Sequence, residues 1–213
     1  MDLPKIGTVE GFAFIVDVNS FTTMVAKTSK SDSIAQFVRD FHSGGIGIIE
    51  RNNGSVVSFM GDAFLAILEN VDSVYHSCIG LAKDVDRQCE YISTHQREFP
   101  EDWHYSQGGP SLKIGIEYGW IDISTIHSEL LGTQRLLIGP GINYACRIAS
   151  AGEGNRCHVG PKAMEKGMDQ WWNEGPYKTE GKTGEGEYTY WSMELGDIWR
   201  SGKINSGEDT YWG

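Results

Sequence analysis

The chain has no Cys-x-x-Cys pair: its four cysteines, Cys78, Cys89, Cys146 and Cys157, are scattered, and Cys146 is embedded in an apolar, helix-like run. They read as reduced thiols of a cytosolic protein. Basic charge is scarce, with 18 Lys and Arg against 29 Asp and Glu, a net charge of -11 and a pI near 4.9. That balance argues against a protein that coats nucleic acid or an anionic membrane, both of which need a basic footprint. It does not exclude a small anionic ligand, because a bound metal or one local Arg can invert the field in a cleft. No apolar run approaches the length of a membrane span, and Met1 to Lys5 lacks the basic start and apolar core of a leader. The expectation is a soluble, cytoplasmic protein. No internal repeat or linker splits the 213 residues, so one domain is expected over 11–195, after an N-terminal extension at 1–10 and before a C-terminal tail at 196–213. The tail carries no core pattern and is expected to be partly ordered.

What the chain does have begins at Gly11 to Val16, a short apolar run with β-branched residues that reads as a central strand and ends on Asp17. An acid at the end of a buried strand costs solvation energy unless a cation or donors compensate it. On its own, Asp17 reads equally as a cap before a helix at Phe21. Ser31 to Ile49 has helical spacing, which Gly44-Gly45 should weaken near its end. Ser55 to Met60 and Ala63 to Leu68 form a hairpin around Gly61-Asp62. Asn70 or Asp72 caps a helix to about Thr94, and Glu98 to Pro110 is a long polar loop. Leu112 to Gly119 alternates as a strand that Trp120 to Ile126 continues or pairs back on. Leu136 to Ile138 is brief, and Gly139-Pro140-Gly141 opens a helix from Ile142 to Ala151. The remainder gives a strand at Arg156 to Val159, a helix near Pro161 to Lys166, and strands at Trp171 to Tyr177 and Tyr188 to Met193. Thr179 to Glu187 between the last two reads as a mobile hairpin loop. This order predicts an α+β fold of the ferredoxin-like kind, a mixed sheet with helices packed on one side.

Asp17 and Asp62 can converge if their strands are neighbours. Two carboxylates plus substrate phosphates is a common way to hold Mg²⁺. Gly61-Asp62 also reads as no more than a turn pair. Asn143 and Arg147 are four apart, on one helix face, and Arg147 reads either as an anion clamp or as a solvated charge.

Phe14-x-x-Asp17-Val18-x-Ser20-Phe21-Thr22, Gly61-Asp62-Ala63-Phe64, Gly115-Ile116 and Gly139-Pro140-Gly141-Ile142-Asn143-x-Ala145-x-Arg147 resemble, in order and spacing, the class III nucleotidyl cyclase domain, over most of residues 11–193. The resemblance implies that a nucleoside triphosphate is cyclised by attack of its 3′-hydroxyl on the α-phosphorus, releasing pyrophosphate. It implies two divalent ions, Mg²⁺ or Mn²⁺, held by Asp17, Asp62 and the Val18 carbonyl. The backbone amides of Asn19, Ser20, Phe21 and Thr22 would cradle phosphate, Asn143 would orient the ribose, and Arg147 would stabilise the α-phosphoryl transition state. Lys182, ahead of Lys178, is the candidate for the triphosphate. Because the family draws the acids from one subunit and the Asn-Arg helix from the other, a homodimer with sites at the subunit interface is implied.

Purine selection in the family rests four residues before the hairpin Asp and seven before the Asn, positions that here hold Ser58 and Leu136. The adenylyl pattern of Lys with Asp or Thr and the guanylyl pattern of Glu with Cys are both absent. Losing both purine readers together is what a changed base should produce, and a compact, single-domain, soluble cyclase of this kind resembles the bacterial pyrimidine cyclases of Pycsar antiphage systems, whose cyclic UMP or cyclic CMP activates a separate effector. A rotating Ser hydroxyl can meet uracil or cytosine, and UTP is favoured over CTP. The alternatives are a purine cyclase with an atypical base pocket and an inactive nucleotide-sensing module. A diguanylate cyclase or polymerase palm lacks support, since no Gly-Gly-(Asp/Glu)-Glu-Phe run occurs.

Overall fold

In a computed structural model the chain is described over residues 3–28, 31–95, 99, 110–130, 132–151, 154–170 and 174–196. In chain order the elements are β1 (Gly7–Val18), α1 (Phe21–Lys27), α2 (Ser31–Arg51), β2 (Ser55–Met60), β3 (Ala63–Leu68), α3 (Val71–Thr94) and β4 (Leu112–Ser128). They continue as β5 (Gly132–Ile138), α4 (Pro140–Ala149), β6 (Arg156–Val159), α5 (Pro161–Glu165), β7 (Glu174–Glu180) and β8 (Glu187–Glu194). The sheet order is β2-β3-β1-β4-β6-β8-β7, with β5 paired to β4. The β4–β6 pair is parallel and the others are antiparallel. This is the expected α+β architecture, a mixed and mainly antiparallel sheet with helices packed on it.

The helices cover both faces rather than one. Phe12, Phe14 and Val16 of β1 pack into a core with Phe37, Phe41 and Leu81 from α2 and α3. Ala13 and Ile15, pointing the other way, pack with Ala145 and Ala149 of α4. Burial on both faces is why β1 reads as a continuous apolar run and not as an alternation. The second face admits a helix because Gly115 on β4 has no side chain: a Cβ there would lie 2.0 Å from the Ala145 carbonyl oxygen and 2.8 Å from Ala149 Cβ.

Several boundaries differ from the sequence reading. β1 starts at Gly7 and pairs Gly7 with Ile123, because β4 is long enough to partner it, so residues 7–10 belong to the sheet and not to an extension. α2 continues past Gly44-Gly45 to Arg51. A Cβ at Gly45 would meet the Phe64 ring at 2.7 Å, so the glycine lets α2 approach β3 closely. Asn70 caps α3, its side chain accepting the Ser73 amide at 2.9 Å. Thr179, Glu180 and Glu187 are strand, leaving only 181–186 as the turn, closed by Gly181 N–H to Gly186 O at 2.7 Å. Leu195 is buried in the core and donates its amide to Asn155 O at 2.9 Å. Of the expected long loop only Phe99 and Pro110 are described. The strand start at Trp171 and the tail from 197 onward lie outside the described residues. No helix among the described residues is long and apolar enough to cross a membrane.

Candidate active site

β1 delivers Asp17 to the end of the sheet, and the antiparallel register with β3, Val16 opposite Phe64, brings the β2–β3 turn against it. Gly61 takes a positive φ of 67° in that turn, which an L side chain resists, and so frees the next position for Asp62. The two carboxyls lie against each other, and the Val18 amide favours the charged form of both. Burial pushes Asp62 up to about 6, and the nearby charge of Asp17 pushes the same way. Burial raises Asp17 as well, while Lys113, directly across on β4, pulls it down. The pair is therefore a half-buried, negatively charged notch with one lysine beside it.

The backbone after Asp17 turns through Ser20 in the left-handed region, φ 60° and ψ 22°, into α1. The Asn19 amide does not belong to a phosphate cradle as expected, because it donates to Ser111 O at 2.8 Å, and the Asn19 side chain donates to Ser111 Oγ at 3.2 Å. Phe21 and Thr22 sit in the first turn of α1, where N–H groups have no intrahelical acceptor.

Pro140 at the start of α4 fits the helix N-terminus, and a Cβ added at Gly141 would lie 3.5 Å from the backbone of Tyr118. This seats α4 with Asn143 exposed and Arg147 half-exposed. Arg147 does not reach the carboxylate pair within its own chain. Its Nε and Nη2 donate to Glu185 Oε2 and Oε1, each at 2.8 Å, on the β7–β8 turn. Asp17 is level with Lys113, Arg156 and Glu194 across the sheet, at the far end of β8 from that turn. Lys178 is paired with Glu187 at 2.7 Å, and Lys182 is exposed on the turn, its backbone amide donating to Glu185 at 3.1 Å.

Ser58 pairs with Leu65, which pairs with Ile15. By alternation Ser58 and Asp17 therefore share the sheet face that carries α4. Leu136 does not join them: its neighbour Leu137 faces the α4 core, so Leu136 points away and is 44% exposed.

Residues 11–194 match the family model of the adenylate and guanylate cyclase catalytic domain. The chain belongs to this family. The cyclase domain superposes on the guanylyl cyclase Cya2 with a TM-score of 0.72 at 15% identity, covering 89% of this chain and 93% of that one. The guanylate cyclase domain of RhGC from Catenaria anguillulae, in complex with GTP, gives 0.64 at 18% identity over 88% and 98%. The adenylyl cyclase CyaB from P. aeruginosa gives 0.64 at 14% identity over 89% and 97%. These likenesses show the fold. No curated protein matches the chain in sequence.

Cyclase domains use divalent metal ions, and the Asp17–Asp62 notch fits one. Two neighbouring half-buried carboxyls at raised pKa, with Lys113 beside them, have negative charge in excess of the local cations, the condition a divalent ion relieves. Among the described residues no group of three His, Cys, Asp or Glu could hold a metal ion. Any ion here would draw its other ligands from backbone, water and substrate oxygens.

The sequence reading missed Glu185, whose only local signal was a Gly- and Lys-rich turn, and Lys113, whose meaning depends on the cross-strand register. It also missed Glu117, 3% exposed, which accepts the Tyr118 and Ala163 amides at 2.8 Å each and is pushed by burial up to about 7. It caps α5, so its work is structural.

Proposed function

We propose that this cyclase domain converts a pyrimidine nucleoside triphosphate, UTP ahead of CTP, to its 3′,5′-cyclic nucleotide and pyrophosphate. The observation that carries the reading is the Asp17–Asp62 pair, two carboxyls brought together by the end of β1 and the β2–β3 turn of the family fold. Divalent ions bound at the pair would lower the pKa of the 3′-hydroxyl and neutralise the β and γ phosphates. The chain's own part is to hold those carboxylates on rigid β1 and on the Gly61 turn. Phe21 and Thr22 offer backbone N–H groups to phosphate oxygens. Asn143 of a second copy orients the ribose, and that copy's Arg147 donates to the α-phosphoryl oxygens as the O3′–P bond forms, the P–O bond to pyrophosphate breaks and the 3′-proton leaves to solvent. Lys182 steadies the triphosphate from the exposed turn.

The pyrimidine assignment rests on Ser58, which shares the face of Asp17 and can donate or accept, and on the absence of any carboxylate, thiol or ammonium at 58 or 136. The product acts as a second messenger on a separate effector of an antiphage system. The protein is incubated with each of the four ribonucleoside triphosphates and Mn²⁺, and products are identified by mass spectrometry. Cyclic UMP as the main product is expected, with some cyclic CMP. A product from ATP or GTP alone rejects the pyrimidine assignment, and no product from any of the four rejects the enzyme.

A further inference from the structure

Glu185 is a surface carboxylate held by donors from α4, from its own turn and from β8. Its two oxygens take the Nε and Nη2 donors of Arg147 at 2.8 Å each, and Oε2 also accepts the Lys182 amide at 3.1 Å and the Tyr188 hydroxyl at 3.3 Å. Tyr188 is itself fixed: its ring lies edge-on to Tyr144 of α4, centroids 4.8 Å apart, and the Tyr144 hydroxyl bridges to the backbone of Thr189, accepting its amide and donating to its carbonyl, both at 2.9 Å. The 181–186 turn is thus stapled to α4 at two successive helical turns, through Tyr144 and Arg147. The guanidinium, which otherwise has the freedom of a long side chain, is held in one plane. Ion pairing to Arg147 keeps Glu185 below the usual carboxylate range, so it remains an acceptor through neutral pH.

Which edge is held matters. An Arg has five N–H donors in a fixed plane. Glu185 takes the inner edge, formed by Nε and Nη2, and among the described residues no other carboxylate pairs with Arg147. The outer edge, Nη1 with the second Nη2 hydrogen, is a second fork that faces away from Glu185 in the same plane and suits two oxygens of a phosphoryl group. We infer that Glu185 is a positioning residue for the cyclisation: it clamps the inner edge of Arg147 so that the outer edge is presented, already oriented, to the α-phosphoryl group bound by a second copy of the chain. The inference rests on the reading of Arg147 given above. Orientation of this kind acts in the transition state more than in ground-state binding, so its loss falls on kcat.

The test is a double-mutant cycle of Arg147→Ala and Glu185→Ala. It is read as kcat and KM with Mn²⁺ and UTP, or whichever ribonucleoside triphosphate gives most product. Glu185→Gln is the third variant, keeping the turn's size and one acceptor oxygen, and thermal melts of all variants report folding. Glu185→Ala is expected to lower kcat by about tenfold or more with KM within about twofold, Glu185→Gln by less, and Glu185→Ala to cost nothing further when Arg147 is already Ala. A wild-type or raised kcat for Glu185→Ala beside a crippled Arg147→Ala overturns the inference alone, as does an equal loss in both backgrounds. An Arg147→Ala enzyme with wild-type turnover overturns both the inference and the catalytic reading of Arg147.

Discussion

Asp17 and Asp62, 45 positions apart in the chain, bring their carboxyls against each other at the end of β1, with Asp62 raised to about 6. Two acids placed this way work against the fold, since each is desolvated and the charge of Asp17 disfavours that of Asp62. They are a feature of the site, and the stability lost to them is the kind that function retains.

Asp62→Asn therefore separates stability from activity. Without added metal it should melt no lower than the wild type, because one desolvated charge is gone while the shape is kept. With Mn²⁺ its turnover should fall by at least about a hundredfold. Paired thermal melts and product assays check both, and a variant that melts much lower while keeping turnover contradicts the assignment.

Glu117 predicts a pH dependence with a definite sign. Its folded pKa of about 7 lies above the ordinary 4.5. The folded chain therefore holds a proton that the unfolded chain has released between those values. Stability from this group is full below pH 4.5 and is lost as pH rises to about 7, on the order of 3 kcal/mol in all. His158, lowered by burial to about 4, acts in the opposite sense over about 4 to 6.5, so the difference between variants isolates Glu117. Glu117→Gln keeps an acceptor for the Tyr118 and Ala163 amides. In denaturant titrations it should match the wild type at pH 4.5 and exceed it at pH 8.

The sequence made the fold legible where one residue type has one physical use. The apolar run into Asp17, the Gly61-Asp62 turn and the Asn70 cap stand where expected, α4 starts at Pro140 and ends at Ala149, two residues earlier at each end than the expected Ile142 to Ala151, and the family shown by residues 11–194 is the one their order resembles. It was illegible where the partner is remote. Gly115 stands in the sequence only as part of the family's pattern, and the fold shows its use: it is the groove that seats α4 on the second face. The Asn19 amide is spent on Ser111, 92 residues away, and Leu136 is turned from the face of Ser58 by strand alternation. Glu185 is one acid among the Gly, Lys and Glu of its turn until the fold sets it on Arg147.

In the proposed site one chain supplies the Asp17–Asp62 pair and another supplies Arg147, an arrangement across two subunits. It is tested most directly by co-expressing Asp62→Ala and Arg147→Ala chains with different affinity tags and assaying the doubly purified mixed dimer against the two single-variant dimers. Each single variant should be strongly impaired, since both of its sites carry the lesion. The mixed dimer gathers both lesions in one site and leaves the other intact, so it should turn over at about half the wild-type rate per dimer. A mixed dimer as inactive as its parents, or single-variant chains that keep wild-type turnover, would contradict the account.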